Sequence, residues 1–305
     1  MITHINRTSQ HIPVTDSLLL VLFCLIVGGN VVSIKFSNLS IPPILAVTIR
    51  SVVASCLLWL WARAQNLQVG LPAGLRKHGV ALGFLFGAQF LLLYWGLSFT
   101  DASRGIILVF CQPLATALLA HFTLPGDRLH LAKAIGLLMS FVGLVVVFSS
   151  RSATLGETHW IGDAMMITTG LLWAVNNIYI KKFVENTSIT HLQTLFAHHF
   201  FSIPLLACGA VAFEWGREIS PQPEALGALA YQCVIVAFVG YLMWFRLLHL
   251  YQASRLVSFI FLTPVFGVIL SGLILGESLT LSLWIGLAFV AAGIYLVNRP
   301  SSAEG

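Results

Sequence analysis

Ten stretches of about 20 mostly apolar residues recur along the chain, at 17–36, 42–61, 79–99, 103–123, 131–149, 161–180, 191–213, 225–248, 254–275 and 281–297. A helix rises about 1.5 Å per residue and the hydrocarbon core of a bilayer is about 30 Å thick, so each stretch can span. The stretches are apolar on every side. A membrane β-strand would instead alternate over about ten residues, so the β-barrel alternative fails. Several connections are very short, which makes those neighbours antiparallel hairpins. A polar linker at 151–159 separates the fifth stretch from the sixth. The pattern predicts an all-α integral membrane protein with ten transmembrane helices, divided into halves 1–150 and 151–305.

Composition supports this and changes how charge is read. The chain is 58% hydrophobic and 9% charged, with a mean hydropathy of +0.91. A soluble domain carries about 25% charged residues, and so few polar side chains could not cover a soluble surface. The net charge of +5 is therefore no sign of a nucleic-acid partner; it has to be placed relative to the bilayer. With a cytoplasmic N-terminus, eleven of the 16 lysines and arginines fall at the inner face, four outside, and Arg50 within the membrane. The positive-inside rule then puts both termini in the cytoplasm. The first stretch is long enough to span and has no small-x-small cleavage site, so it is expected to stay as a helix. All five cysteines lie in apolar segments without CxxC or Cys/His spacing, so they are expected to pack rather than bind metal.

One phrase occurs twice. In "DASRGIILVFCQPLATALLA" and "QASRLVSFIFLTPVFGVILS", residues Ala102, Ser103, Arg104 and Pro113 align with Ala253, Ser254, Arg255 and Pro264. After one extra residue in the first copy, Gly126-Asp127 meets Gly276-Glu277, Leu129 meets Leu279, Gly136 meets Gly286 and Gly143 meets Gly293. Earlier, Asn30 and Lys35 meet Asn176 and Lys181. Ordered polar, Gly and Pro matches across both halves define two five-helix copies. Five is odd, so the second copy crosses the membrane in the opposite sense. Inverted repeats of this kind can exchange conformations and open a central cavity to each side in turn.

Candidate chemistry lies in the polar residues of the spans. Arg50 sits about 12 Å into the second helix at 1.5 Å per residue, where a charge costs at least about 2.5 kcal/mol and normally faces a cavity or a partner. Its counterpart in the second copy is His198 or His199, which either form a proton-linked site or bond between helices. Asn30, Gln89, Tyr94, Gln112, Asn176, Tyr179, Tyr241, Trp244 and Thr263 either contact a solute or hold helices together. Pro113 and Pro264 each free a carbonyl one turn earlier, next to Gln112 and Thr263. No Asp or Glu lies mid-membrane, so an anionic or zwitterionic solute suits the interior better than a permanent cation. No HExxH, GxGxxG, nucleophile elbow or Walker motif occurs. No enzyme activity, metal or cofactor is expected. The alternative to a carrier is an intramembrane enzyme or sensor using Arg50 with His198 and His199. Expected partners are a small-molecule solute and the lipid bilayer; proton coupling, and monomer against homodimer, stay open.

The sequence also resembles EamA-type members of the drug/metabolite transporter superfamily over about its whole length. The resemblance rests on "GGNVVSIK", "PPILAVTIR", "ASRGIILVFCQPLATALLA", "GDAMMITTGLLWAVNNIYIKK" and, most specifically, "PVFGVILSGLILGE". It implies a ten-helix secondary carrier of the inner or plasma membrane, often exporting amino acids, metabolites or drugs. The first copy departs from the usual acidic turn in having "LPGDR".

Overall fold

A computed structural model describes residues 12–96, 99–100, 102–149, 159–185, 187, 189–220, 222–275 and 280–299. Among the aligned motifs, Asp101, Gly276, Glu277 and Leu279, the linker at 151–158 and the side chains of Ser103, Lys35 and Arg104 lie outside the described residues. The helices are α1 (Val14–Ser37), α2 (Pro43–Ala64), α3 (Arg76–Gly96), α4 (Ala102–Val109), α5 (Gln112–Thr123), α6 (Leu131–Phe148), α7 (His159–Glu185) and α8 (His191–Glu214). They continue as α9 (Pro223–Tyr231), a π-helix (Gln232–Gly240), α10 (Tyr241–Leu250), α11 (Ala253–Ile260), α12 (Leu262–Leu275) and α13 (Leu281–Asn298).

Three expected spans are therefore composite. The fourth divides into α4 and α5, and the ninth into α11 and α12. The breaks follow Val109 and Ile260, each four residues before a proline that has no N–H to bond that carbonyl. The eighth span runs α9–π–α10 as one unit. Its wider π turns, a rare geometry often found at functional sites, gave no signal in the sequence. Helix starts have local causes. Proline opens α2 and α9, where the missing N–H costs nothing. Thr190 and Gln193 form a reciprocal capping box at α8.

Nine segments among the described residues are long and apolar enough to span a membrane. The remaining span, α7, has 27 residues; Asn176 and Asn177 make it more polar, and both are buried. The outer faces of the bundle carry Leu60, Phe122, Leu138, Val211, Leu273 and Trp284 exposed, as a lipid solvent requires. Among the described residues, these polar bonds between helix ends and loops join ends that the inverted topology puts on one face. Thr100 donates to Asp163, Gln193 to the Gly70 carbonyl and Tyr251 to Asp16.

Packing repeats under exchange of the two copies. Helix α1 lies on α12 as α7 lies on α4 and α5, and α3 touches α7 and α8 as the π-containing span touches α1 and α2. Equivalent spans meet each other in three places: α2 with α8, the fourth with the ninth through α5 and α11, and α6 with α13. At the last crossing a Cβ on Gly136 would lie 2.6 Å from the Gly293 carbonyl, and one on Gly143 would lie 2.7 Å from the Gly286 carbonyl. These are the glycines that the sequence alignment pairs, now seen to cross reciprocally as a two-fold axis demands. The protein is an all-α membrane protein of two inverted five-helix repeats.

Candidate functional site

The α2–α8 contact lies on the pseudo-two-fold axis, which explains why Arg50 and its counterparts on α8 come together. The Arg50 side chain is 0% exposed. Its guanidinium lies 4.5 Å from the Phe90 ring centre, 5.9 Å from Tyr241 and 6.0 Å from Phe86. Those faces attract a cation and the Tyr241 hydroxyl interacts with it, but no carboxylate or carbonyl accepts from its three nitrogens. Phe86 bridges to the histidines, with ring centres 4.2 Å from His198 and 5.3 Å from His199. His199 stacks on Tyr241 at 5.7 Å. His198 Nε2 lies 3.2 Å from the Asn176 amide nitrogen, and Tyr94 stacks beyond Phe90 at 6.2 Å.

Several buried polar atoms here have no partner: Nδ1 of His198, Oδ1 of Asn176 and Oε1 of Gln89; His199 interacts with the Ala237 backbone. Buried polar groups are normally satisfied, so a cluster of such atoms calls for an explanation such as an absent polar ligand. Arginine offers five N–H donors, no acceptor and a permanent charge. A carboxylate or phosphate oxygen is its natural complement. Among the described residues no three His, Cys, Asp or Glu side chains converge as a metal would need.

Glu214 places the two helices that carry this centre. From the end of α8 its Oε1 accepts from the Ile44 N–H and its Oε2 from the Leu45 N–H, both at 2.8 Å. The carboxylate thus caps the positive end of α2, one and a half turns before Arg50. Sequence reasoning recognised Glu214 only as a helix-end acid. It did not single out Phe86 and Phe90, which read as ordinary apolar positions of α3.

Other candidates stand elsewhere. Tyr179 bonds His78 Nδ1 at 2.6 Å and stacks near Phe183. Trp244 stacks on Phe23 at 5.2 Å. The Asn30 amide oxygen and carbonyl both face Ser33 Oγ. Gln112 donates to Thr116 Oγ1 on its own helix at 3.0 Å. Thr263 is buried on α12 beside the Cys24 thiol, with which it interacts, and a Cβ on Gly28 of α1 would lie 2.9 Å from its carbonyl. Pro113 and Pro264 stand at the two helix breaks. Beside the second break, the Cys24 thiol donates to the Phe259 carbonyl at 3.1 Å.

Known proteins share this architecture. A solved crystal structure superposes with a TM-score of 0.78 at 17% identity, covering 92% of this chain and 96% of the other. The uncharacterized transporter YoaV of Bacillus subtilis is 22% identical, covering 89% of this chain and 92% of its own. A probable amino-acid metabolite efflux pump of Escherichia coli is 24% identical over 92% of this chain and 94% of its own length. The profile of the EamA-like transporter family matches twice, at residues 16–149 and 160–299. With two complete matches over two inverted bundles, the chain belongs to the EamA-like transporter family.

Proposed function

We propose that this transporter is an exporter of a small organic metabolite or amino-acid-like solute bearing a carboxylate, working by alternating access at a site centred on Arg50. The observation that carries this is the fully buried guanidinium without an anionic acceptor. A lone buried charge is costly, and a carboxylate between Arg50 and the unpartnered histidine and amide atoms would relieve it. Tyr94, Gln89, Asn176, His198, His199 and Tyr241 complete that site in this reading. Asn30, Gln112, Tyr179, Trp244 and Thr263 stand along the helices that move, with Pro113 and Pro264 as the kinks. The relatives named as amino-acid metabolite efflux pumps in Escherichia coli and Salmonella typhimurium support the solute class and the outward direction. The halves 1–150 and 151–305 would rock about the pseudo-two-fold axis in the inner or plasma membrane, with both termini cytoplasmic. The two histidines are the proposed point of any proton linkage.

The test is counterflow in proteoliposomes with a labelled panel of carboxylates, amino acids and amines. A charge-assisted hydrogen bond contributes about 1.5–3 kcal/mol, so Arg50→Ala is expected to lower carboxylate uptake about tenfold or more while elution and helical content stay native. Arg50→Lys should recover little, because an ammonium lacks the planar fork. Undiminished uptake in Arg50→Ala would reduce the residue to a structural anchor.

A further inference from the structure

Among the described residues, the pseudo-symmetry is broken where the fourth and ninth spans meet. Helix α5 packs directly on α11, whereas no comparable packing joins their counterparts α12 and α4 among the described residues. At the α5–α11 end, a buried polar cluster ties the first repeat to the second. Asp127 Oδ2 accepts from the Ser254 N–H at 3.0 Å, and Oδ1 accepts from the Ser254 hydroxyl and, at 3.1 Å, from the Lys133 ammonium. The ammonium also donates to Gln252 Oε1 at 3.1 Å and to Ser254 Oγ at 3.0 Å. The Gln252 amide donates to the Gly126 carbonyl at 2.6 Å. Asp127, Lys133, Gln252 and Ser254 are each at most 4% exposed.

The sequence repeat shows that this cluster belongs to one end only. The register that pairs Gly136 with Gly286 pairs Lys133 with Leu283, and Leu283 is buried in the apolar core. Leu283 cannot carry the charge that Lys133 carries, so the lysine's part in the cluster is not repeated in the second copy. A buried, fully bonded ion pair adds little when intact, but it is very costly to leave half-broken. Such a cluster therefore behaves as an all-or-none fastening.

We propose that Asp127, Lys133, Gln252 and Ser254 form a one-sided latch that holds the carrier shut toward the cytoplasm. They are positioning residues for the transport cycle, and opening the latch is the step that admits solute from inside. The proposal rests on the alternating-access reading and on the positive-inside orientation. It makes the outward-facing conformation the resting one, since this fastening holds the inner end.

Electron–electron spin distances on purified full-length protein in nanodiscs test this without any transported solute. In a background lacking the native cysteines, one label pair replaces Arg128 and Leu250 at the inner end. A second replaces Phe99 and Leu273 at the outer end. Lys133→Met and Asp127→Asn are each expected to raise the population with a widened inner pair at least about tenfold, with the outer pair narrowing in step. Gln252→Ala leaves the ion pair in place and should shift both pairs the same way by less, which guards against a variant that fails to fold. Unchanged distances in all three variants, or inner widening with no outer narrowing, would overturn the latch. A carrier that moved no solute in the panel yet showed coupled shifts would sink the proposed transport reading and leave the latch standing.

Discussion

Of the four cations buried among the described residues, Lys181, Lys133 and Arg50 have different surroundings. The Lys181 ammonium donates to the carbonyls of Leu248, His249 and Tyr251 at 2.8, 3.4 and 2.7 Å. Lys133 is bonded on all sides within its cluster, whereas Arg50 has ring faces and no anionic or carbonyl acceptor. Two of these charges hold helices and loops together, and the third has the surroundings of a ligand site. Nearby, Tyr251 donates to Asp16 Oδ2 at 2.5 Å, tying the start of α1 to the turn after α10. Burial, reinforced by the hydrogen bond to Asp16 and its negative charge, pushes the Tyr251 phenol up to about 12. A raised acid keeps its proton longer when folded, so this stabilisation is fully present below about pH 10, the free tyrosine value. It is lost as pH climbs through about 12. An ultraviolet difference titration between native protein and Tyr251→Phe should show no phenolate from this residue until well above pH 10; ionisation at an ordinary tyrosine value would refute the tether.

The helices explain why hydropathy located the spans and left their faces undetermined. In a lipid solvent the face toward neighbouring helices and the face toward acyl chains are both apolar, so no amphipathic stripe marks the interior. The exceptions are the small and rigid residues. Pro113 and Pro264 marked the two breaks, and the repeated glycines marked the α6–α13 crossing. A Cβ at Gly286 would lie 2.4 Å from Val147 Cγ2 and 2.5 Å from the Gly143 carbonyl, and backbone atoms cannot step aside. Overpacking of this kind costs about 1–3 kcal/mol, so Gly286→Val should lower the melting temperature of detergent-solubilised protein. Gly227, with nothing within 4 Å of an added Cβ, is the control, and Gly227→Ala should melt like the parent. Equal melting of both variants would mean that α6 and α13 do not cross this closely.

For the molecule as a whole, orientation is the property on which the latch and the export direction both depend. It follows from charge asymmetry alone, and labelling tests it directly. In cells carrying a cysteine-free background, Arg217→Cys in the α8–α9 loop should react with a membrane-impermeant thiol reagent from outside. Lys77→Cys at the start of α3 should react only after permeabilisation. The reverse pattern would turn the protein over, and with it the side on which Lys133 closes the bundle.

Span number, the inverted repeat and the proline breaks were all legible in the chain, because each depends on local hydropathy or on order along the sequence. The meeting of Arg50 with His198 and His199 was half legible: the repeat made them equivalent, and the axis between α2 and α8 then made them neighbours. Which polar residues reach that centre was decided only by packing. Gln112 turned to Thr116 and Tyr179 to His78, while Phe86 and Phe90 closed round the guanidinium. The Glu214 cap and the Lys133 latch join residues more than a hundred positions apart, and no local pattern encodes such a pairing. In a bilayer the hydrophobic effect sets how many helices cross. The matching of the few polar groups left inside sets how those helices meet.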